Sequence, residues 1–256
     1  MPNCYNKFDL TGKIAVITGA SEGIGRDLAI RLSECGVTIV ICSRRKEKLL
    51  EVKRAIEKKG NKSLIYPLDL KNISEIYNLK TFIKEKTGKV DILINNAGYT
   101  VTKSAWEISE EDWNDMVDTS FRGLFFCCQA IGSIMREHGN GKIINLSSTL
   151  SQSTAPGRSV YSGIKAGINH LTKALATEWA SYGIRVNAIA PTAVDTPSRK
   201  EILKGPFLKK VVSRIPLERL ATSEDLMGAI VYLSSEASDF MTGQTVFIDG
   251  GWIAAS

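Results

Sequence analysis

Tyr161 and Lys165 stand four residues apart in Tyr161-Ser162-Gly163-Ile164-Lys165, and Ser148 lies shortly upstream at the end of an apolar run. On a helix, residues i and i+4 share a face, so the phenol and the ammonium can meet in one small site. A free tyrosine has a pKa of about 10 and is a poor acid or base at neutral pH. A cation held beside it favours the phenolate and brings it toward a useful range. The same spacing also describes a half-buried aromatic next to a solvated lysine. The pair gains chemical meaning only from the rest of the chain.

A second motif follows the first apolar run: Thr18-Gly19-Ala20-Ser21-Glu22-Gly23-Ile24-Gly25, with helical periodicity after it. Glycines at such a turn let backbone approach a diphosphate, and the helix N-terminus offers unpaired N–H groups and a favourable dipole. The spacing Gly-x-x-x-Gly-x-Gly is weak alone; a strand–turn–helix context is what confirms it. Beyond the second run the chain reads Cys42-Ser43-Arg44-Arg45, with no acid until Glu47. A carboxylate there would serve a ribose 2′-hydroxyl, whereas guanidinium groups pair with a 2′-phosphate. These residues favour NADP(H) over NAD(H), against the plainer reading of arginines that start a solvated helix.

The elements that must position these groups are legible as an alternation. Apolar, β-branched runs at 14–18, 38–42, 64–66, 90–94, 142–146, 184–189 and 245–248 predict short strands covered on both faces. Between them, 25–35, 46–59, 74–87, 110–136, 162–182 and 223–235 carry helical periodicity. This predicts an α/β fold, a doubly wound parallel sheet in a single domain over 1–256. One long excursion, 192–222, holds Pro197, Pro206, Pro216 and the basic amphipathic stretch Phe207 to Val212. Insertions at the carboxyl end of a parallel sheet commonly cover the ligand, so we expect a substrate cover here.

Composition removes other classes. With 256 residues, 43% hydrophobic, the chain can bury a sizeable core and has no run long enough to cross a membrane. The net charge of +6 is spread among acids, as in Arg44-Arg45-Lys46-Glu47-Lys48, and no nucleic-acid motif accompanies it. Five cysteines and two histidines show no metal-ligand spacing, so no metal is expected. Met1 to Lys7 lack the apolar core of a secretion signal, and the cysteine usage fits a reducing, cytoplasmic setting.

Taken in order, Thr18 to Gly25, Asn95-Asn96-Ala97-Gly98, Ser148, Tyr161-x-x-x-Lys165, Asn187-Ala188-Ile189-Ala190-Pro191 and Asp249-Gly250-Gly251 resemble the short-chain dehydrogenase/reductase family. Several stretches are most similar to gluconate 5-dehydrogenase-like members, with 3-oxoacyl-carrier-protein reductase-like members close behind. The resemblance implies a Rossmann-type sheet of seven parallel strands, a nicotinamide cofactor and interconversion of a ketone and a secondary alcohol. Sugar acids or polyols are the implied substrates. A 3-oxoacyl-carrier-protein reductase or a broad carbonyl reductase is the alternative, and a non-catalytic NADP(H)-binding sensor or scaffold stands outside the enzyme class.

It further implies roles. Tyr161 would exchange a proton with the carbonyl oxygen, Lys165 would hold the nicotinamide ribose and assist the tyrosine, and Ser148 would orient the substrate oxygen. Gly19, Ser21, Gly23, Ile24 and Gly25 would cradle the diphosphate. Ser43, Arg44 and Arg45 would take the adenosine ribose, while Asp69 and Leu70 would flank the adenine. Asn96, Ala97, Gly98, Pro191, Thr192, Val194 and Thr196 would pack along the cofactor. Two positions depart from the family. Ser120 replaces an asparagine that helps hold a water linking the lysine to solvent, and Thr192 replaces a glycine after the sixth strand. The long helices at 110–136 and 162–182 would pair between subunits of a homotetramer, burying Phe125, Phe126 and Ile131 at or near that interface.

Overall fold

The computed structural model describes residues 4–197 and 204–255. Seven runs rich in isoleucine and valine form the strands β1 (Ile14–Thr18), β2 (Thr38–Ser43), β3 (Ser63–Pro67), β4 (Ile92–Asn95), β5 (Gly141–Leu146), β6 (Ile184–Pro191) and β7 (Thr245–Ile248). They make one parallel sheet in the order β3-β2-β1-β4-β5-β6-β7.

Alternate side chains of each strand enter opposite cores, as the period of two requires. Val16, Val40, Leu93 and Ile143 face one core with α3 (Ile73–Thr87), α5 (Gly123–His138) and α6 (Ser159–Trp179). Ile17, Ile41, Ile94 and Ile144 face the other with α1 (Gly23–Glu34), α2 (Lys46–Glu57) and α8 (Ser223–Ser234). Covering both faces explains why the strands read as unbroken apolar runs; every residue of β5 is buried, Lys142 included.

Two features of the connections bear on the site. The segment 110–136 is not one helix: α4 (Glu110–Val117) and α5 are joined by a π-helical turn over Asp118–Arg122, closed by Gly123 N–H donating to Asp118 C=O. A Cβ at Gly123 would lie 2.7 Å from Leu70 Cβ, so glycine is what lets the helix approach the end of the third strand's loop. The excursion after β6 is pinched at its neck by a parallel bridge between Val194 and Ala221, with Asp195 N–H donating to Ala221 C=O at 2.8 Å. It contains α7 (Gly205–Val212), with Pro206 at the helix start where its missing N–H does no harm. The part of the expected cover at 198–203 lies outside the described residues.

Candidate active site

The strand order reverses between β1 and β4, where connections leave in opposite directions and a crevice opens at the carboxyl ends. A cleft of about 390 Å³ lies there, lined from the ends of the first four strands by Thr18, Gly19, Ser21 to Ile24, Ser43 to Arg45, Leu68 to Leu70 and Asn96 to Tyr99, together with Thr119 and Thr196.

Two loops build its floor. Thr18 Oγ1 accepts the Asn96 and Ala97 N–H groups at 3.2 Å, and Asn96 Nδ2 donates to the carbonyls of Thr18 and Gly19 at 3.1 Å. A Cβ at Gly25 would fall 2.3 Å from Asn96 Nδ2 and 2.4 Å from Gly19 C=O. Gly25 therefore serves close packing of helix on turn, and Gly19, at φ +66, supplies a left-handed bend. The N-terminus of α1 faces the cleft at Gly23 and Ile24, so its first-turn N–H groups can receive a diphosphate.

The residues present fit a dinucleotide. Ser43 Oγ is buried without a hydrogen-bond partner at the wall where Arg44 and Arg45 stand, the chemistry an adenosine ribose or its phosphate would satisfy. Gly25 adjoins the cleft through packing; Pro191 ends β6 and Thr192 follows it, buried, and neither lines the cleft. The Val194 side chain is buried in the second core, so it can serve a ligand through its backbone alone.

The residues expected to handle a proton come together on the neighbouring elements. Tyr161 lies in the first turn of α6 and Lys165 one turn on, with Nζ 5.6 Å from the tyrosine ring centroid. Lys165 is buried, and its Nζ donates to Leu146 C=O at 2.6 Å. Ser147 Oγ donates to Lys165 C=O at 3.2 Å, which joins the end of β5 to the helix. Ser147 is thus spent on structure. Ser148 Oγ accepts the Leu150 N–H at 3.2 Å. That is an acceptor's role, and the hydroxyl keeps its hydrogen for another oxygen. Gly98 links this cluster to the cleft: a Cβ there would lie 3.7 Å from Ser120 Oγ and 4.0 Å from Lys165 Nζ.

Ser120 sits in the π-helical turn, 1% exposed. Its Oγ accepts the Tyr99 N–H at 2.9 Å and donates to Tyr99 C=O at 3.2 Å. The hydroxyl's one hydrogen is therefore committed to the loop that carries Asn96 to Gly98. Sequence reasoning passed over five lining residues, Thr18, Glu22, Leu68, Tyr99 and Thr119. Tyr99 and Thr119 adjoin Gly98 and Ser120, and Thr18 and Glu22 belong to the glycine-rich motif, so adjacency was a usable signal for four of them. Among the described cysteines, thiol chemistry has no support. Burial pushes the Cys42 and Cys127 thiols far up and Cys128 up to about 12.

Residues 19–253 match the family model described as Enoyl-(Acyl carrier protein) reductase. The chain is 37% identical to 2-dehydro-3-deoxy-D-gluconate 5-dehydrogenase of Dickeya dadantii over 97% of its length and 98% of that protein's. It is 35% identical to a 3-oxoacyl-[acyl-carrier-protein] reductase of Staphylococcus aureus, covering 93% of this chain and 97% of the relative. Among solved structures, a gluconate 5-dehydrogenase from Burkholderia cenocepacia in complex with NADP and tartrate superposes with a TM-score of 0.95 at 32% identity, covering 99% of this chain and all of that one. The chain belongs to the short-chain dehydrogenase/reductase family and is an NAD(P)-dependent oxidoreductase acting on CH–OH groups.

Proposed function

We propose that this enzyme interconverts a secondary alcohol and a ketone on a sugar acid, with NADP(H) as the preferred cofactor. The observation that carries the reading is the buried lysine one turn beyond Tyr161, with its ammonium 5.6 Å from the phenol ring and Ser148 at the adjoining strand end. The nicotinamide, when bound, supplies or accepts the hydride. Tyr161 exchanges the proton with the substrate oxygen, and the ammonium beside it stabilises the phenolate left after donation. Ser148 donates its hydroxyl hydrogen to that same oxygen and fixes its position. Gly19, Ser21, Gly23, Ile24 and Gly25 hold the diphosphate, and Ser43, Arg44 and Arg45 hold a 2′-phosphate. NADP in the related Burkholderia structure, and sugar-acid names among the relatives, support this reading.

The 35% identical staphylococcal relative favours one second reading, a 3-oxoacyl-carrier-protein reductase. A non-catalytic sensor has no support from these relatives, which are enzymes. The excursion at 192–222 is the proposed substrate cover, with Thr196 already on the cleft wall. We also keep the tetramer and the cytoplasmic setting as proposals. Cys35, Cys42, Cys127 and Cys128 are free thiols, and no helix among the described residues is long and apolar enough to cross a membrane.

The test is a panel of gluconate, 2-dehydro-3-deoxygluconate and a 3-oxoacyl thioester with both NADP(H) and NAD(H). Turnover of a sugar acid with the higher kcat/KM for the phosphorylated cofactor is expected, and Arg44→Asp should shift preference toward NAD(H). Turnover of the thioester alone overturns the substrate reading; equal or better use of NAD(H) overturns the cofactor reading.

A further inference from the structure

The cleft wall carries a carboxylate that this scheme does not use. Glu22 stands within the glycine-rich turn immediately before α1 and lines the cleft with Ser43, Arg44 and Arg45. It occupies the N-cap position of α1, yet its side chain caps no backbone N–H. Its Oε1 instead pairs with Arg45 Nη2 at 2.8 Å, and the same nitrogen reaches Ser21 Oγ at 3.3 Å. Both side chains are about half exposed, so the pair itself adds little to folding. Its consequence is local. A guanidinium can meet a phosphate with two parallel hydrogen bonds, and here one arm is already engaged by a resident anion.

We propose that Glu22 determines cofactor specificity by pairing with Arg45, weakening the site's selection for a 2′-phosphorylated adenosine ribose. The inference rests on the cofactor reading above. A 2′-phosphate reaching Arg45 must share it with Glu22 or displace the carboxylate, and it meets like charge in doing so. A ribose 2′-hydroxyl meets neither cost. Arg44 and the buried Ser43 hydroxyl carry the attraction that remains. Preference for NADP(H) is therefore weaker than Ser43-Arg44-Arg45 alone would set.

The experiment is calorimetric titration of the full-length protein with 2′,5′-ADP and with 5′-AMP at low ionic strength, where surface charge is least screened. Wild type, Glu22→Gln, Arg45→Gln and the double variant are compared, so no step depends on turnover. Glu22→Gln is expected to raise the ratio of 2′,5′-ADP to 5′-AMP affinity by about three- to tenfold, the scale of one charge acting through solvent-screened distances. That change in ratio should disappear in the Arg45→Gln background. An unchanged ratio of the two affinities in Glu22→Gln overturns the inference, and so does an equal gain with and without Arg45. The wild-type ratio is a separate readout. A wild-type protein binding 5′-AMP as tightly as 2′,5′-ADP would sink the NADP(H) preference, while the change on Glu22→Gln would still decide the role of Glu22.

Discussion

Tyr161 and Ser120 make contrasting demands on the same small volume. Tyr161→Phe keeps the ring and removes the transferable proton, so turnover should fall by about 10²–10⁴-fold while calorimetric binding of cofactor survives. Near-normal turnover in that variant would end the proposed chemistry. Ser120 works differently, because its hydroxyl is spent on both backbone groups of Tyr99. Ser120→Ala strips the Tyr99 N–H and C=O, both part-buried, of their partner, a loss of about 0.5–1.5 kcal/mol per hydrogen bond. We expect a lower unfolding midpoint and a raised cofactor KM, with kcat reduced less than in Tyr161→Phe. A variant of unchanged stability and KM but collapsed kcat would instead place Ser120 in the proton path, the role its asparagine counterpart implied.

Helix termini decide how firmly the elements hold the cleft. The start of α8 is a reciprocal capping box: Thr222 Oγ1 accepts the Asp225 N–H, and Asp225 accepts the Thr222 N–H at 2.7 Å. The Arg219 guanidinium, and after it the Thr222 amide, hold the Asp225 carboxyl far below the usual carboxylate range. A carboxyl depressed on folding stabilises the fold above its unfolded pKa of about 4, and that contribution is lost as pH falls through the folded value. Asp225→Asn should therefore cost about 0.3–1 kcal/mol at pH 7, and the gap to wild type should narrow in denaturant titrations at acid pH. A gap that is constant with pH would assign the effect to packing instead of charge. The π-helical turn belongs to this scale too. Nothing in the periodicity of 110–136 marks it, since the interruption answers to the close approach of Gly123 and Leu70.

At the scale of the molecule, one surface lacks a covering element. An apolar groove between α4 and α6 is lined by Ile108, Trp113, Val117, Phe121, Val160 and Ile164, and Trp113 is 52% exposed. The proposed tetramer would cover such a patch. Trp113→Glu is expected to yield a smaller species by light scattering at micromolar concentration; a monomeric wild-type protein would refute the assembly outright. Ile131, expected near that interface, is instead wholly buried in the chain's own first core, where α5 packs on α3 and β4. Phe125 and Phe126 remain half-buried and meet edge-on, with ring centroids 5.3 Å apart.

Most of the frame was readable one-dimensionally, because it depends on short-range regularities. Strands β1 and β7 begin and end where the runs of β-branched residues do, and the glycine-rich turn, Ser43 to Arg45 and the Tyr161–Lys165 spacing all sit within single local motifs. What the chain could not announce are contacts between residues far apart in sequence. The commitment of Ser120 to Tyr99, the pairing of Glu22 with Arg45 across the ends of two strands, and the burial of Val194 and Ile131 in separate cores all arise from packing. Spacing states which side chains share a helix face or a turn. Only the folded sheet, by bringing loop ends into one crevice, decides which of those side chains meet and whether each is left with a hydrogen or a charge to offer.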